Sequence, residues 1–149
     1  MNNMAQNEVK EYFESGKQNK GLLLYGPNGT GKTTAMDPYL TKKWAGSSID
    51  IANLVQQNGR GYLQKYAIHD MYIDDMGREP STVKSFGDEI ELMHDLIFIR
   101  YQAFKLGYLT HISTNLDFNE ISERYGVAIS DRIKEMCTVI SFCGESLRK

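Results

Sequence analysis

The chain has 149 residues, 41% hydrophobic and 24% charged, enough to build one domain around a core of its own. A formal net charge of −2 excludes a global basic footprint, so nucleic-acid binding would have to come from a local patch or from weak patches repeated in an oligomer. No apolar run approaches bilayer length and the N-terminus lacks the charged-then-apolar order of a signal peptide, so the expectation is a cytoplasmic, single-domain protein with no membrane partner.

Val9, Tyr12 and Phe13 recur at helical spacing before Ser15-Gly16 and a polar run, so residues 1–20 read as a helix and loop leading into the core. Residues 22–25 form a short continuous apolar run of the length expected for a buried parallel strand. Directly after it, Gly26-Pro27-Asn28-Gly29-Thr30-Gly31-Lys32-Thr33 has the spacing of a phosphate-binding loop. Glycines there let the backbone curl until successive N–H groups face a phosphate. Lys32 would reach the terminal phosphates, and Thr33 would offer its hydroxyl to Mg²⁺ while opening a helix; Thr34 closes the nucleotide-binding stretch. That helix is expected to run to about Trp44 with a kink at Pro38.

A second strand would sit at residues 44–48, although strand formers are few there. Ser48, followed by Asp50, Ile51, Leu54 and Val55, predicts a capped helix that Asn58-Gly59 and Gly61 interrupt, and a further turn follows at residues 62–66. Met71, Tyr72 and Ile73 then form a strand that runs straight into Asp74 and Asp75. Where a strand ends and the backbone turns, both carboxylates can reach the crevice at the sheet's carboxyl edge, where a phosphate loop also sits. Asp74 would then serve Mg²⁺ through water, and Asp75 would orient or deprotonate the attacking water. A plain turn built on Asp74, Asp75 and Gly77 is the competing explanation.

Residues 77–87 are polar, contain Pro80 and read as a loop. Asp88 with Glu91 predicts a capping box at the start of a long helix that Gly107 stops. Ile90, Met93, Ile97 and Phe104 would line one face of it, widened by Leu92, Leu96 and Ile99. His69, His94 and His111 share no ligand spacing and read as structural, and Cys137 and Cys143 as buried free thiols. Residues 109–114 alternate as a strand ending at Asn115, which either helps turn the chain toward a helix cap at Asp117 or contacts the γ-phosphate or its attacking water. Two helices follow, at residues 121–125 and, carrying Arg132, at 127–136; residues 137–142 form the last strand.

Together with the glycine-rich loop, the series Tyr72-Ile73-Asp74-Asp75-Met76-Gly77, Ser113-Thr114-Asn115, and Tyr125-Gly126 leading to Ser130-Asp131-Arg132-Ile133 resembles the AAA+ ATPase core of DnaC-type replicative helicase loaders and the related IstB-type transposition ATPases. The resemblance spans effectively the whole chain. It implies a three-layer α/β P-loop NTPase core of the AAA+ (ASCE) type, with a five-stranded, mostly parallel sheet and no helical lid. It makes Lys32 and Thr33 the Walker A groups, Asp74 and Asp75 the Walker B pair, and Asn115 the first sensor. Arg132 resembles the arginine finger that completes a neighbouring subunit's site, with Arg124 a competing candidate, and Arg148 matches an arginine near the end of such loaders.

What the resemblance implies functionally is ATP and Mg²⁺ as ligands, a nucleotide-dependent oligomer, a replicative helicase or transposase as partner, and single-stranded DNA. Two departures qualify it. The family usually carries Asp-Glu where this chain has Asp74-Asp75, so hydrolysis is expected to be slow, and little precedes the first strand where loaders carry a helicase-docking region, leaving a stand-alone core or an excised domain. The rivals are a small-molecule P-loop kinase, for which no clustered arginines supply a lid, and a nucleotide-gated binding module with negligible turnover. Lys65, Arg78, Lys84, Arg100 and Lys105 are scattered candidates for DNA contact.

Overall fold

The structure, a computed structural model, describes residues 3–40 and 45–142. Along the chain, α1 (Asn3–Glu14) precedes β1 (Gly21–Tyr25) and α2 (Lys32–Met36), and β2 (Ala45–Ser47) and α3 (Ser48–Asn58) lead to β3 (Met71–Met76). Next come β4 (Thr82–Ser85), β5 (Asp88–Glu91) and α4 (Leu92–Lys105), followed by β6 (Thr110–Thr114), α5 (Phe118–Tyr125), α6 (Val127–Met136) and β7 (Cys137–Ser141).

Five strands form one sheet in the order β2-β3-β6-β1-β7, and every pairing in it is parallel. Parallel neighbours need crossover connections, which place helices on both faces and bury the strands from two sides. Alternation along β1 divides the core accordingly. Leu22 and Leu24 join Ala5 and Val9 of α1, Met36 of α2, Tyr72, Ile140 and Phe142 on one face. Leu23 joins Ile73, Ile112 and the apolar sides of α3, α4, α5 and α6 on the other. Each of the three leucines is at most 1% exposed, a burial that contributes about 1.5–3 kcal/mol per side chain. The expected three-layer α/β architecture is therefore the observed one.

Local differences have local causes. The helix after the glycine loop does not reach Trp44: α2 gives way to a 3-10 turn over Asp37–Tyr39, and Leu40 is extended. Pro38 has no N–H to continue the α-helical ladder, and its ring crowds the preceding turn. Trp44 and Cys143 lie outside the described residues. At α3 the cap is Ser47 rather than Ser48, its Oγ accepting the Asp50 N–H at 3.1 Å.

The largest difference lies between β3 and α4, where the expected loop and the start of the expected helix together form the antiparallel hairpin β4–β5. Val83 and Ile90 face each other across it and are both buried, and the Ser85 hydroxyl donates to the Gln56 carbonyl at 2.7 Å, docking the hairpin on α3. Phe86 and Gly87 make the turn with φ of 51° and 83°, the double left-handed geometry of a two-residue hairpin. Asp88 and Ile90 are thus strand residues. The predicted capping box does not form, α4 begins four residues later, and Asp117 with Glu120 makes a capping box at α5 instead.

Candidate functional site

Tyr25 pairs with Thr114, and Thr114 with Met76, so the last residues of β1, β6 and β3 share one rung of the sheet. Immediately beyond it come Gly26, Asn115 and Gly77, and three of the sequence motifs leave the sheet at its carboxyl edge. That edge is where open α/β sheets hold ligands. The Gly26 N–H donates to the Thr114 carbonyl at 3.1 Å, tying the glycine loop to the strand before Asn115.

Gly31 sits at the head of α2 with φ 90°, a conformation that a side chain would strain. The Thr30 hydroxyl donates to the Pro27 carbonyl at 2.8 Å, folding the loop on itself. Lys32 is only 6% exposed, and its Nζ donates to the carbonyls of Gly26 and Pro27, which anchors the ammonium under the loop. Thr33 and Thr34 are exposed on the first turn of α2. With five α-helical residues, the local N–H groups of this turn and loop, rather than a long macrodipole, carry the attraction for an anion.

The acidic pair does not simply end its strand. The β3–β6 register shifts between Ile73 and Met76, and Asp75 adopts a left-handed φ of 56°, so a bulge falls on the two aspartates. Bulges re-aim side chains and break the strict alternation of a strand. Oδ1 of Asp74 accepts hydrogen bonds from Thr33 Oγ1 at 3.0 Å, Tyr72 OH at 2.8 Å and Ser113 Oγ at 2.6 Å. The backbone of Asp75 is pinned at both ends: its N–H donates to Ser113 Oγ at 2.9 Å and its carbonyl accepts from Ser48 Oγ at 2.7 Å.

Sequence reasoning missed Tyr72, Ser113 and Ser48 as parts of this network. Tyr72 was recoverable, since residues two apart on a strand share a face. Ser48, on α3, carried no such signal, because its partner is a backbone carbonyl 27 positions away on β3.

The donor chemistry suits a hard cation. Among the described residues no group of three His, Cys, Asp or Glu side chains gathers to hold a metal. A threonine hydroxyl beside one carboxylate oxygen is the sparse oxygen set that Mg²⁺ uses when water and phosphate complete its shell.

Of the remaining expected residues, Asn115 shares this edge, and Arg124 and Arg132 are engaged elsewhere. Asn115 is exposed just past Thr114, whose hydroxyl donates to the Met76 carbonyl at 2.7 Å and accepts the Leu116 N–H at 3.1 Å. Arg124 reaches back to the Glu79 carbonyl and lies 3.5 Å from its carboxylate, so it is engaged within its own chain. Arg132 lies on α6 with its guanidinium over the rings of Phe98 and Tyr101, at 5.8 and 5.3 Å. Arg148 is outside the described residues.

Arg100, one of the candidate DNA contacts, is fully buried. It donates to Thr110 Oγ1 and to the carbonyls of Tyr66 and Leu109, and burial lowers its pKa to about 10. It is a core cation, not a surface one. Cys137 is a buried free thiol as expected, pushed up to about 12 by burial. A cavity of about 720 Å³, lined by Tyr12, Phe13, Tyr39, Asp70, Tyr72 and His111, opens toward the amino-terminal edge of the sheet. No helix among the described residues is long and apolar enough to cross a membrane.

A glycine loop between the first core strand and its helix, with an acidic strand end beside it on an all-parallel sheet, is the architecture of a P-loop NTPase core. The fold is similar to the crystal structure of DnaI, with a TM-score of 0.63 and 21% identity, covering 95% of this chain and 79% of that one. No protein-family model matches the sequence, and no curated protein matches it.

Proposed function

We propose that the protein binds ATP with Mg²⁺ in the crevice at the carboxyl edge of the sheet and hydrolyses it as an oligomeric AAA+ ATPase of the helicase-loader kind. The observation that carries this is the 3.0 Å contact between Thr33 on the glycine loop's helix and Asp74 on β3, beside the buried Lys32. Lys32 would exchange its loop carbonyls for the terminal phosphates, and the loop N–H groups would hold the phosphate chain. Held there, Mg²⁺ would supply neutralisation of the charge on the phosphates. Thr33 would ligate it directly and Asp74 through water, while Asp75 orients the attacking water and Asn115 contacts the γ-phosphate. Phosphoryl transfer asks mainly for positioning and charge neutralisation, which these groups supply.

The loader assignment rests on the motif series and on the likeness of fold to DnaI. A replicative helicase is the partner it implies, a transposase the alternative, and single-stranded DNA the polymer along which an oligomer would align its weak basic patches. The test is binding of a fluorescent ATP analogue together with phosphate release, each measured against protein concentration with and without single-stranded DNA. Lys32→Ala is expected to abolish binding. Retained binding in that variant would remove the site.

One observation favours a second reading, a nucleotide-gated binding module with negligible turnover. Asp75 holds a shorter carboxylate than the glutamate of the resembled family, on a backbone fixed by Ser113 and Ser48. Tight binding with phosphate release no faster than the spontaneous rate would select that reading.

A further inference from the structure

We propose that Tyr72 is a positioning residue of the nucleotide site, whose phenol, with the Ser113 hydroxyl, holds the Asp74 carboxylate in one orientation for a divalent cation bound at Thr33. The inference rests on the site reading above and adds a residue to it.

Neighbouring positions of β3 carry Met71 and Ile73, apolar side chains that fill the other face of the sheet. Tyr72 fills its own face equally well with its ring, being 3% exposed among Leu22, Leu24 and Met36. A ring alone would complete that packing, and burying a hydroxyl as well costs free energy unless it finds a partner. The partner is Oδ1 of Asp74, two residues on and on the same face, at 2.8 Å.

The three hydroxyls on Oδ1 are not equivalent. Thr33 belongs to the glycine-loop helix, and its oxygen is the one assigned to the cation. Tyr72 and Ser113 belong to β3 and β6, adjacent strands of the central sheet. When Thr33 turns to a cation, Asp74 retains two donors fixed to the sheet and cannot swing away. Partners that orient a metal-site carboxylate govern cation affinity even though they never touch the cation.

The experiment is a Mg²⁺ titration of fluorescent ATP-analogue binding, with turnover measured alongside. Tyr72→Phe removes one oxygen and keeps the ring. It is expected to bind the analogue in EDTA as the parent does, and to need about tenfold more Mg²⁺ for the half-maximal gain in affinity. In an Asp74→Asn background the same substitution is expected to shift nothing further, because its effect passes through that carboxylate. If Tyr72→Phe does not fold, Tyr72→Met carries the comparison. An unshifted Mg²⁺ midpoint, or an equal shift in the Asp74→Asn background, overturns the inference while leaving the site intact. A parent whose nucleotide affinity ignores Mg²⁺ overturns the site reading and the inference together.

Discussion

Tyr125 donates its phenolic hydrogen to Oε2 of Glu79 at 2.5 Å, across 46 positions of chain. Glu79 is 2% exposed, and its other oxygen accepts the Gly77 N–H at 2.8 Å. This carboxylate clamps the segment leaving the Asp74–Asp75 bulge to the end of α5, the helix that follows Asn115. Burial raises the Tyr125 pKa, so the phenol remains a donor at any working pH. Glu79→Ala is expected to cost about 2 kcal/mol, because it orphans the phenol and the Gly77 N–H. The larger penalty of a broken buried ion pair does not apply, since the Arg124 side chain is 29% exposed and can turn to water. Urea denaturation measures this, and a loss under about 0.5 kcal/mol would show that the clamp is not structural.

Asp75 explains its own identity. At φ 56° it occupies left-handed space, which aspartate enters more readily than glutamate because its short polar side chain bonds locally. Asp75→Glu is therefore expected to lower stability by about 0.5–1 kcal/mol even where the longer carboxylate reaches water better. Asp75→Asn keeps the backbone preference and removes the base. It should retain nucleotide binding and melting temperature, with turnover reduced about a hundredfold or more. Turnover equal to the parent's would take the water-orienting role away from this residue.

How much of this was legible depended on whether a signal was local. The glycine loop and the strand before it announce themselves because positive φ, an anchoring lysine and an apolar run all fall within a dozen residues. The hairpin β4–β5 did not, since its turn is Phe86-Gly87 rather than Asn-Gly, and a phenylalanine at φ 51° and 81% exposure is not a turn signal. A chance Asp88/Glu91 spacing then imitated a helix cap. Arg100, Glu79 and Ser113 illustrate the other limit. Arg100 and Ser113 fall in predicted elements and Glu79 in a predicted loop, and each has partners as far as 34 to 46 positions away that only the tertiary fold brings within reach.

His111 makes the fold sensitive to acid. Its Nδ1 accepts the Leu22 N–H at 3.0 Å beneath the rings of Tyr12 and Phe13, so the folded chain holds the imidazole neutral. Burial lowers its pKa from 6.5 to about 4, Asp70 opposing and Arg100 reinforcing the shift. Between those values the unfolded chain binds the proton and the folded chain does not, so this residue's contribution is complete above pH 6.5 and is lost as pH falls toward 4. The change amounts to about 3 kcal/mol over that window. His111→Asn keeps an acceptor for Leu22 without an ionisable ring. Urea midpoints at pH 7.5 and 4.5 should converge more in the variant than in the parent, and identical slopes would contradict the assignment.

Arg132, if it is the finger that the motif resemblance implies, would act only in a second copy of the chain. Its helix α6 leads away from the carboxyl edge toward Cys137, which pairs with Gly21 at the amino-terminal end of β1, and its guanidinium rests on Phe98, 51% exposed. Within its own chain the Arg132 guanidinium contacts only aromatic faces among the described residues, whereas Arg124 is held by the Glu79 carbonyl. Arg132→Ala is expected to bind nucleotide normally and lose about a thousandfold in turnover, the scale of an arginine supplied in trans. Complementation separates this from simple damage. Subunits with Lys32→Ala cannot hold nucleotide but still carry Arg132, so adding them in excess to Arg132→Ala subunits should restore phosphate release, the arginine of the one completing the nucleotide-filled site of the other. A finger acting within its own chain predicts no recovery at any mixing ratio, and full activity of Arg132→Ala alone would remove the assignment altogether.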